Sequence, residues 1–363
     1  MALAGTLTLA PGSERPVRCR RPVVGAELMR RLAEGRRAAL LPELVGAVFS
    51  LCAGAQRSTS RRVVAAALGR ATSDDAAALA LETAHEHLRR IAIDLPRSLP
   101  VPGIAADAGW LRGAPLLPPA SHPARAARLA ESLAALPAWL GHHLYGMPPA
   151  DWLRCWRSDP ATWLARWAAA SPHPHARWLA ALRPRAEALW LPYRPLPAGS
   201  AGFAALAESL ATDDGFAERP LWQQRPAETG PWTRAARTEP AGADGAQLSV
   251  WHRLGARLAD LAAIAEGEPL AAGALALAPG EAIAWTEMAR GLLVHWLRLE
   301  PGAQAAETAR AAVYRVVAPT EWNFHPEGAL AAALGEGGFD AADARPAALA
   351  LDPCIAFEVA ADA

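Results

Sequence analysis

Apolar residues recur at helical spacing over most of the chain, and only a few short runs alternate as strands do. The helical runs are residues 26–51 (broken at Gly35 and Pro42), 56–69, 74–93, 124–144 and 248–266. The alternating runs are residues 3–9, 282–299 and 311–317. These patterns predict an α+β fold that is predominantly helical, with a small β-sheet late in the chain.

Two stretches interrupt the pattern and predict long loops, residues 96–123 and 213–247, which are rich in proline, glycine or polar residues. No internal repeat divides the chain, and its length allows one large domain or two ordinary ones. Residues 152–190 are rich in tryptophan. Trp152, Trp156, Trp163 and Trp167 approximate helical spacing, which favours a core stripe over a cofactor site.

Composition narrows the class of protein. Of the 363 residues, 52% are hydrophobic and 20% charged, which is typical of a globular protein with a substantial core. Basic and acidic residues both number 36, so no net field points to nucleic acid or an anionic membrane. Every basic residue is arginine, as expected of a GC-rich genome. We expect no secretory signal, no membrane span and no disulfide framework, hence a cytoplasmic protein.

Two cysteine-bearing segments remain as candidate chemistry, because nucleotide-binding and serine-hydrolase motifs are missing. The histidine pairs 142–143 and 173/175 have no metal-site partners at suitable spacing, so a surface role is favoured. Cys52 lies on a small-residue turn before a predicted helix, whose N-terminal amides would favour a thiolate. Cys354 follows the rigid Asp352–Pro353 turn. Taken alone, either cysteine is more often structural than functional.

The surroundings of both cysteines resemble the large subunit of nickel–iron hydrogenases in an altered form. That family carries an N-terminal RxCGxCxxxH motif and a C-terminal DPCxxCxxH motif. Here FSLCAGAQ (49–56) keeps Cys52 but has Phe49 at the first cysteine and Gln56 at the histidine. LDPCIAFEVA (351–360) keeps Cys354 but has Phe357 at the second cysteine and Ala360 at the histidine. Each motif therefore retains one thiol.

Further segments match that family in the same order along the chain. VGAELMRRLAEGR places Glu27 at an acidic position, and PAETGPWTR places Arg234 on an arginine of an ExGPLAR segment. TEMARGLLVHWLRLE resembles EAPRGALGHWIRIE and contains Arg290. VVAPTEWNFHPEG resembles VVPTTWNxSPRD and contains Pro319 and Thr320. The resemblance spans residues 24–360 and implies a large-subunit-like fold, with a single domain over residues 1–363.

The replaced cysteines of the two motifs imply a function other than that of a hydrogenase. Two thiolates cannot complete a four-sulfur nickel site, so the resemblance implies no nickel and no hydrogen turnover. Cys52 and Cys354 could instead hold one iron that carries its own cyanide and carbonyl ligands. In hydrogenases these ligands are cradled by residues that match Arg290, Pro319 and Thr320. This combination resembles the HupK/HoxV family of hydrogenase maturation scaffolds.

What that family implies is a carrier and not an enzyme. It would accept the Fe(CN)2CO fragment, held only transiently, from the HypC–HypD complex and deliver it to the apo large subunit. A metal-free chaperone that mimics the large subunit is the alternative. Arg290 could instead be a buried ion-pair partner of Glu287 or Asp352, Thr320 could cap a turn, and Glu27 could only pair with an arginine.

Overall fold

The structure is a computed structural model that describes residues 5–20, 26–72, 75–104, 108–115, 124–197, 202–235, 245–302 and 305–360. The α-helices in these ranges are α1 (Ala26–Ala33), α2 (Leu41–Val48), α3 (Ala53–Ala67), α4 (Ala76–Arg89), α5 (Leu95–Ser98), α6 (Arg125–Leu140), α7 (Pro149–Ser158), α8 (Pro160–Ala170), α9 (Pro174–Ala188), α10 (Phe203–Thr212), α11 (Pro231–Ala235), α12 (Val250–Ala265), α13 (Pro319–Asn323), α14 (Ala329–Leu334) and α15 (Ala341–Leu351). Single π-helical turns, Arg90–Asp94 and Gly141–Tyr145, continue α4 and α6. No helix in the described ranges is both long and apolar enough to cross a bilayer.

Three small sheets accompany the helices within the described ranges. Their strands are β1 (Thr6–Leu9), β2 (Val17–Arg20), β3 (Trp190–Pro192), β4 (Gln247–Ser249), β5 (Ala272–Ala278), β6 (Glu281–Met288), β7 (Gly291–Leu299), β8 (Ala311–Val317) and β9 (Ala356–Val359). β5 to β8 form an antiparallel meander in chain order, β3 pairs with β4, and β1 lies between β2 and β9. The predicted α+β fold with a late sheet is confirmed.

The meander is buried on both faces at its centre, which explains why β6 and β7 are almost continuously apolar. Along β6, Ala282 and Ala284 belong to the cluster of buried residues around α3, whereas Ile283 and Trp285 belong to the cluster around α10. Successive side chains point to opposite faces of a strand, so each layer takes every second residue. The sheet is thus a rigid support for the hairpin that joins β6 to β7.

Helix α12 is the central element of the helical part. It contacts α4, α6 to α9, α11 and α15, and 13 of its 16 residues are buried. The tryptophan-rich helices α7 and α8 pack against it, and Trp152, Trp156 and Trp167 are buried, which confirms the predicted core stripe. Because α12 also carries Arg253, Arg257 and Asp260, charged side chains project into the protein interior from it.

The C-terminal strand β9 pairs with the N-terminal strand β1. Strand β9 runs parallel to β1, with Leu7 paired to Phe357 and Leu9 to Val359. Cys354 lies between the end of α15 and the start of β9. Two ordered elements therefore hold the short turn that carries Cys354.

The predicted loops contain more structure than expected. The described part of 96–123 includes a 3-10 turn, Gly109–Leu111, and that of 213–247 includes the 3-10 turn Phe216–Glu218 and helix α11. Residues 105–107, 116–123 and 236–244 lie outside the described part. Strand β5 was not expected, because its small residues alternate weakly. The helical pattern over 26–51 is confirmed as α1 and α2, with the break at Gly35. The break expected at Pro42 is wrong, because this proline lies in the first turn of α2.

Candidate metal centre

Arg290 is placed by the two-residue turn between β6 and β7, since Met288 pairs with Gly291. Gly291 has φ 125°, and a Cβ there would lie 2.6 Å from the Thr229 side chain. Leu292 N donates to Thr229 Oγ1 over 2.8 Å. Only glycine permits this close approach, which brings the hairpin against the segment before α11.

Asn323 at the end of α13 joins three separate segments of the chain. Its Oδ1 accepts from Thr229 N (2.9 Å), and its Nδ2 donates to Thr229 O (2.9 Å) and Leu351 O (3.1 Å). The amide is buried, so these bonds replace water contacts in full. The hairpin, α13 and the C-terminal turn are therefore positioned relative to one another by one side chain.

Cys354 contacts Thr320 directly. Helix α13 starts at Pro319, a favourable first residue because a helix leaves that N–H unpaired. Thr320 Oγ1 donates to Cys354 Sγ over 2.9 Å and accepts from Cys354 N over 3.1 Å. Thr320 thus fixes the orientation of the thiol, and Pro319 fixes the start of the helix that presents Thr320.

Asp352 ends α15 in the left-handed region, with φ 55° and ψ 68°. Its carboxylate lies 2.5 Å from Arg90 Nε, 2.9 Å from Arg257 Nη2 and 3.7 Å from Arg290 Nε. Burial alone would raise the pKa of this carboxyl, but Arg257, Arg90 and Arg290 hold it well below its usual range. Asp352 is therefore the anion around which three arginines gather.

Cys52 is buried, and it is the last residue of a 3-10 turn, Ser50–Cys52, directly before the first residue of α3. Burial and, to a smaller extent, the nearby Cys354 raise the pKa of its thiol to about 12, against the lowering effects of Arg290 and Gln56. The expectation that the helix N-terminus favours a thiolate is wrong for the free protein. The α3 amides of Gly54 and Ala55 instead donate to Glu82, over 2.9 and 2.8 Å.

Arg290 lies between charged groups and the two cysteines. Its Nη2 donates to Glu86 Oε2 over 3.1 Å, but its buried Nε and Nη1 have no hydrogen-bond partner in the part of the chain that the structure describes. Burial opposes its charge, yet Asp352, Glu86 and both cysteines keep the pKa of Arg290 above its usual value. A permanently charged, buried guanidinium with two unused N–H directions is a site for an anionic acceptor.

A second buried network supports this arrangement from behind. Arg234 Nε donates to Asp260 Oδ1 over 2.7 Å, and His87 Nε2 lies 2.6 Å from Asp260 Oδ2. Arg257 Nη1 donates to His87 Nδ1 over 3.1 Å. Burial lowers the pKa of His87, so its ring is neutral and can accept that bond. Arg234 is thus a structural neighbour of the centre.

The structure brings together the five residues that the sequence proposed for the site. Cys52, Cys354, Arg290, Thr320 and Pro319 all lie around the turn that contains Asp352. Their binding roles stay predictions.

Of the two acidic partners considered for Arg290, Glu287 and Asp352, only Asp352 lies near it. Asp352 is near, but the second carboxylate is Glu86, because Glu287 faces Arg234 at 3.9 Å. Glu27 falls in α1, and its side chain lies outside the described part.

Several residues of the site were missed in the sequence. Glu82 and Glu86 are four residues apart on α4, so they share one helix face, and that spacing is the signal that could have paired them. The surface role expected for the histidine pairs 142–143 and 173/175 is wrong for His175, which is buried with its Nε2 2.8 Å from Leu144 O. Among the described residues, however, no three histidine, cysteine or acidic side chains are placed to hold a metal ion.

The donor set fits an iron that brings its own ligands better than a bare ion. Two sulfurs are too few for a closed site built from protein ligands alone. The unpartnered N–H groups of Arg290 and the hydroxyl of Thr320 are hydrogen-bond donors, which suit an anionic ligand such as cyanide and not a cation. Soft thiolates suit iron.

The fold of the chain is shared with nickel–iron-type hydrogenases. One solved structure, the nickel–iron–selenium hydrogenase G491S variant from Desulfovibrio vulgaris Hildenborough, matches with a TM-score of 0.51 and 13% identity, over 90% of each chain. The enzyme from Desulfomicrobium baculatum matches with a TM-score of 0.50 and 14% identity, over 93% of each chain. At this identity the likeness defines the fold alone, a hydrogenase large-subunit-like fold.

Sequence comparison defines the family. The chain is 40% identical to the hydrogenase expression/formation protein HoxV of Cupriavidus necator, over 99% of this chain and 96% of that protein. It is 32% identical to the hydrogenase expression/formation protein HupK of Rhizobium leguminosarum bv. viciae, over 91% and 88%. No family model matches the chain. The protein belongs to the HupK/HoxV family and has a role in hydrogenase maturation.

Proposed function

We propose that this protein is a non-catalytic carrier for the Fe(CN)2CO fragment during hydrogenase maturation. Cys52 and Cys354 bind the iron as thiolates, and Arg290 donates to its cyanide ligands, as does Thr320 once its hydroxyl proton turns away from Cys354 Sγ. The fragment arrives from the HypC–HypD complex and leaves to the apo large subunit of a nickel–iron hydrogenase, in the cytoplasm. Pro319 contributes by holding the first turn of α13.

One observation supports this proposal most strongly. Arg290 is almost completely buried beside both cysteines, and two of its nitrogen atoms, Nε and Nη1, have no hydrogen-bond partner among the described residues. A buried donor without a partner costs about 1–3 kcal/mol, and more when it is charged. An anionic ligand that accepts from these groups removes the cost, so the arrangement favours a bound anion beside the two thiols.

Loading must displace protons. Because burial raises the pKa of Cys52 to about 12, its thiol is protonated in the free protein at neutral pH. Binding the iron releases that proton, and the positive charge of Arg290 beside the site stabilises the resulting thiolate. The affinity for the fragment therefore rises with pH, up to the pKa of the thiol.

Transfer requires that the carrier binds its cargo more weakly than the recipient does. Phe49 and Phe357 stand where the resembling hydrogenase motifs have cysteines, so this chain offers two thiolates and the recipient four. Fewer metal–sulfur bonds give a lower affinity, and the fragment moves toward the large subunit.

Infrared spectroscopy tests the proposal. The protein is purified without oxygen from cells that express the hydrogenase assembly factors, and the cyanide and carbonyl stretches are recorded. We expect these bands in the parent protein and their loss in Cys52→Ser and in Cys354→Ser. The matched control is Cys155→Ser, a partly buried cysteine outside the site, which should keep them. A parent spectrum without these bands contradicts a carrier.

A metal-free chaperone is the second candidate. The observation in its favour is the extent of the hydrogenase-like fold, which covers 90% or more of each of the two matched hydrogenase chains and could present a large-subunit surface to assembly partners. This candidate predicts that Cys52→Ser keeps every partner and full maturation activity. The carrier predicts that partners remain and maturation fails.

A further inference from the structure

A chain of buried polar side chains leads from the meander to the Cys52 sulfur. The Tyr314 hydroxyl lies 3.0 Å from Ser60 Oγ and 2.7 Å from His295 Nδ1. His295 Nε2 lies 2.9 Å from Gln56 Oε1, and Gln56 Nε2 donates to Cys52 Sγ over 3.8 Å. His295 and Gln56 are fully buried, so the chain is shielded from solvent.

If Gln56 donates to the Cys52 sulfur, the donor and the acceptor of its hydrogen bond with His295 are determined. Gln56 Oε1 must then accept from the N–H at Nε2 of His295, which leaves Nδ1 as the acceptor of a neutral ring. The Tyr314 hydroxyl has one proton, which it can donate to Ser60 Oγ or to Nδ1, and donation to Nδ1 leaves the Ser60 hydroxyl to donate to Tyr314. Burial lowers the pKa of His295 to about 3, which agrees with a neutral ring.

We propose that Gln56 is a positioning residue for the Cys52 sulfur, and that Tyr314 and His295 hold its amide in the orientation that donates to that sulfur. This inference rests on the proposed function, in which Cys52 binds iron as a thiolate. Gln56 stands where the resembling hydrogenase motif has a histidine. The amide supplies an N–H to sulfur without adding a titratable group.

The orientation matters because the two ends of an amide are opposite in polarity. A reversed Gln56 would present Oε1 to the sulfur and repel a thiolate, while its Nε2 would face His295. Tyr314 opposes this reversal when its hydroxyl donates to Nδ1, because the ring proton then stays on Nε2. Tyr314 therefore acts on Cys52 through two intervening side chains.

The first test uses the free protein and needs no iron. The rate of Cys52 alkylation by iodoacetamide is measured by site-resolved mass spectrometry, and amide hydrogen exchange of α3 monitors local opening. Gln56→Leu should slow alkylation about tenfold, because the Cys52 sulfur loses the N–H that positions it. Tyr314→Phe should slow it about threefold although it does not contact Cys52.

The control is Thr286→Val on β6, the strand that pairs with the His295-bearing strand β7. It removes a buried hydroxyl that has no hydrogen-bond partner among the described residues, so the rate should not change. If Tyr314→Phe alkylates as fast as Thr286→Val with equal hydrogen exchange, the positioning role is refuted. This holds even if Gln56→Leu fails to fold.

A second readout separates this inference from the proposed function. In protein loaded with the iron fragment, loss of the N–H to sulfur makes the thiolate a stronger electron donor, so the carbonyl stretch of Gln56→Leu should shift to lower frequency. If alkylation slows but no fragment is ever bound, the positioning role stands and the carrier proposal fails. If the fragment binds and both alkylation and the carbonyl stretch are unchanged, the positioning role fails alone.

Discussion

Replacing Asp352 by asparagine should destabilise the protein far more than the loss of one ordinary ion pair. The carboxylate is 3% exposed and faces Arg90, Arg257 and Arg290. Asparagine has nearly the same shape and tolerates a positive φ at least as well as aspartate, so the backbone at φ 55° is not disturbed. The variant therefore tests the charge alone.

The expected loss is about 3–5 kcal/mol in the free energy of unfolding, the usual cost of leaving a buried charge without its partner. Guanidinium unfolding followed by tryptophan fluorescence measures it, with an unchanged denaturant slope as the sign of an intact native state. The matched control is Asp151→Asn in an exposed pair with Arg154, which should cost under about 1 kcal/mol.

The contribution of Asp352 to the free energy of unfolding should depend on pH. Since the arginines hold the pKa of Asp352 well below its unfolded value, its contribution is present at neutral pH and is lost as pH falls. The difference in unfolding free energy between parent and Asp352→Asn should therefore shrink in acid. A loss at neutral pH equal to that of the exposed control would refute the reasoning.

Three further predictions follow from the site. Gly54→Ala should destabilise by about 1–3 kcal/mol in thermal unfolding, because the added Cβ would lie 2.2 Å from a Glu82 oxygen; an unchanged melting temperature would contradict this. The parent should lose stability as pH rises above the pKa of an exposed thiol, 9.0, toward about 12, since only the unfolded state releases the Cys52 proton; Cys52→Ser should lack this slope in alkaline unfolding curves. Restoring cysteine in Phe49→Cys/Phe357→Cys should slow iron release and impair transfer, and release as fast as in the parent would disprove the affinity gradient.

The sequence was sufficient for most of the fold where periodicity is strong. The helical runs before and within the tryptophan-rich region, and strands β6 to β8, all form as predicted. Strand β9 could not be read, because its four residues gain order only from pairing with β1 some 350 positions earlier. Helix α11 was missed for a similar reason, since its five residues are too short for a periodic pattern.

The candidate site was predictable as a set of residues but not as a network. Motif resemblance selected both cysteines, Arg290 and Thr320, and the chain folds so that they meet. The sequence did not indicate that Glu82 accepts hydrogen bonds from the first amides of α3, because Glu82 belongs to another helix, α4. The argument from the helix N-terminus also gave the wrong sign for the pKa of Cys52, because burial of the thiol raises it. Only the tertiary structure decides which group occupies a helix end.

Delivery of the iron is the most direct test of the account. The protein is loaded with isotopically labelled iron fragment, mixed with the apo large subunit without oxygen, and separated, and the label and its cyanide and carbonyl bands are measured in both fractions. We predict that label and bands move together to the large subunit, and that Cys52→Ser delivers nothing. Label that stays on the carrier, or equal loading by Cys52→Ser, would contradict the carrier function.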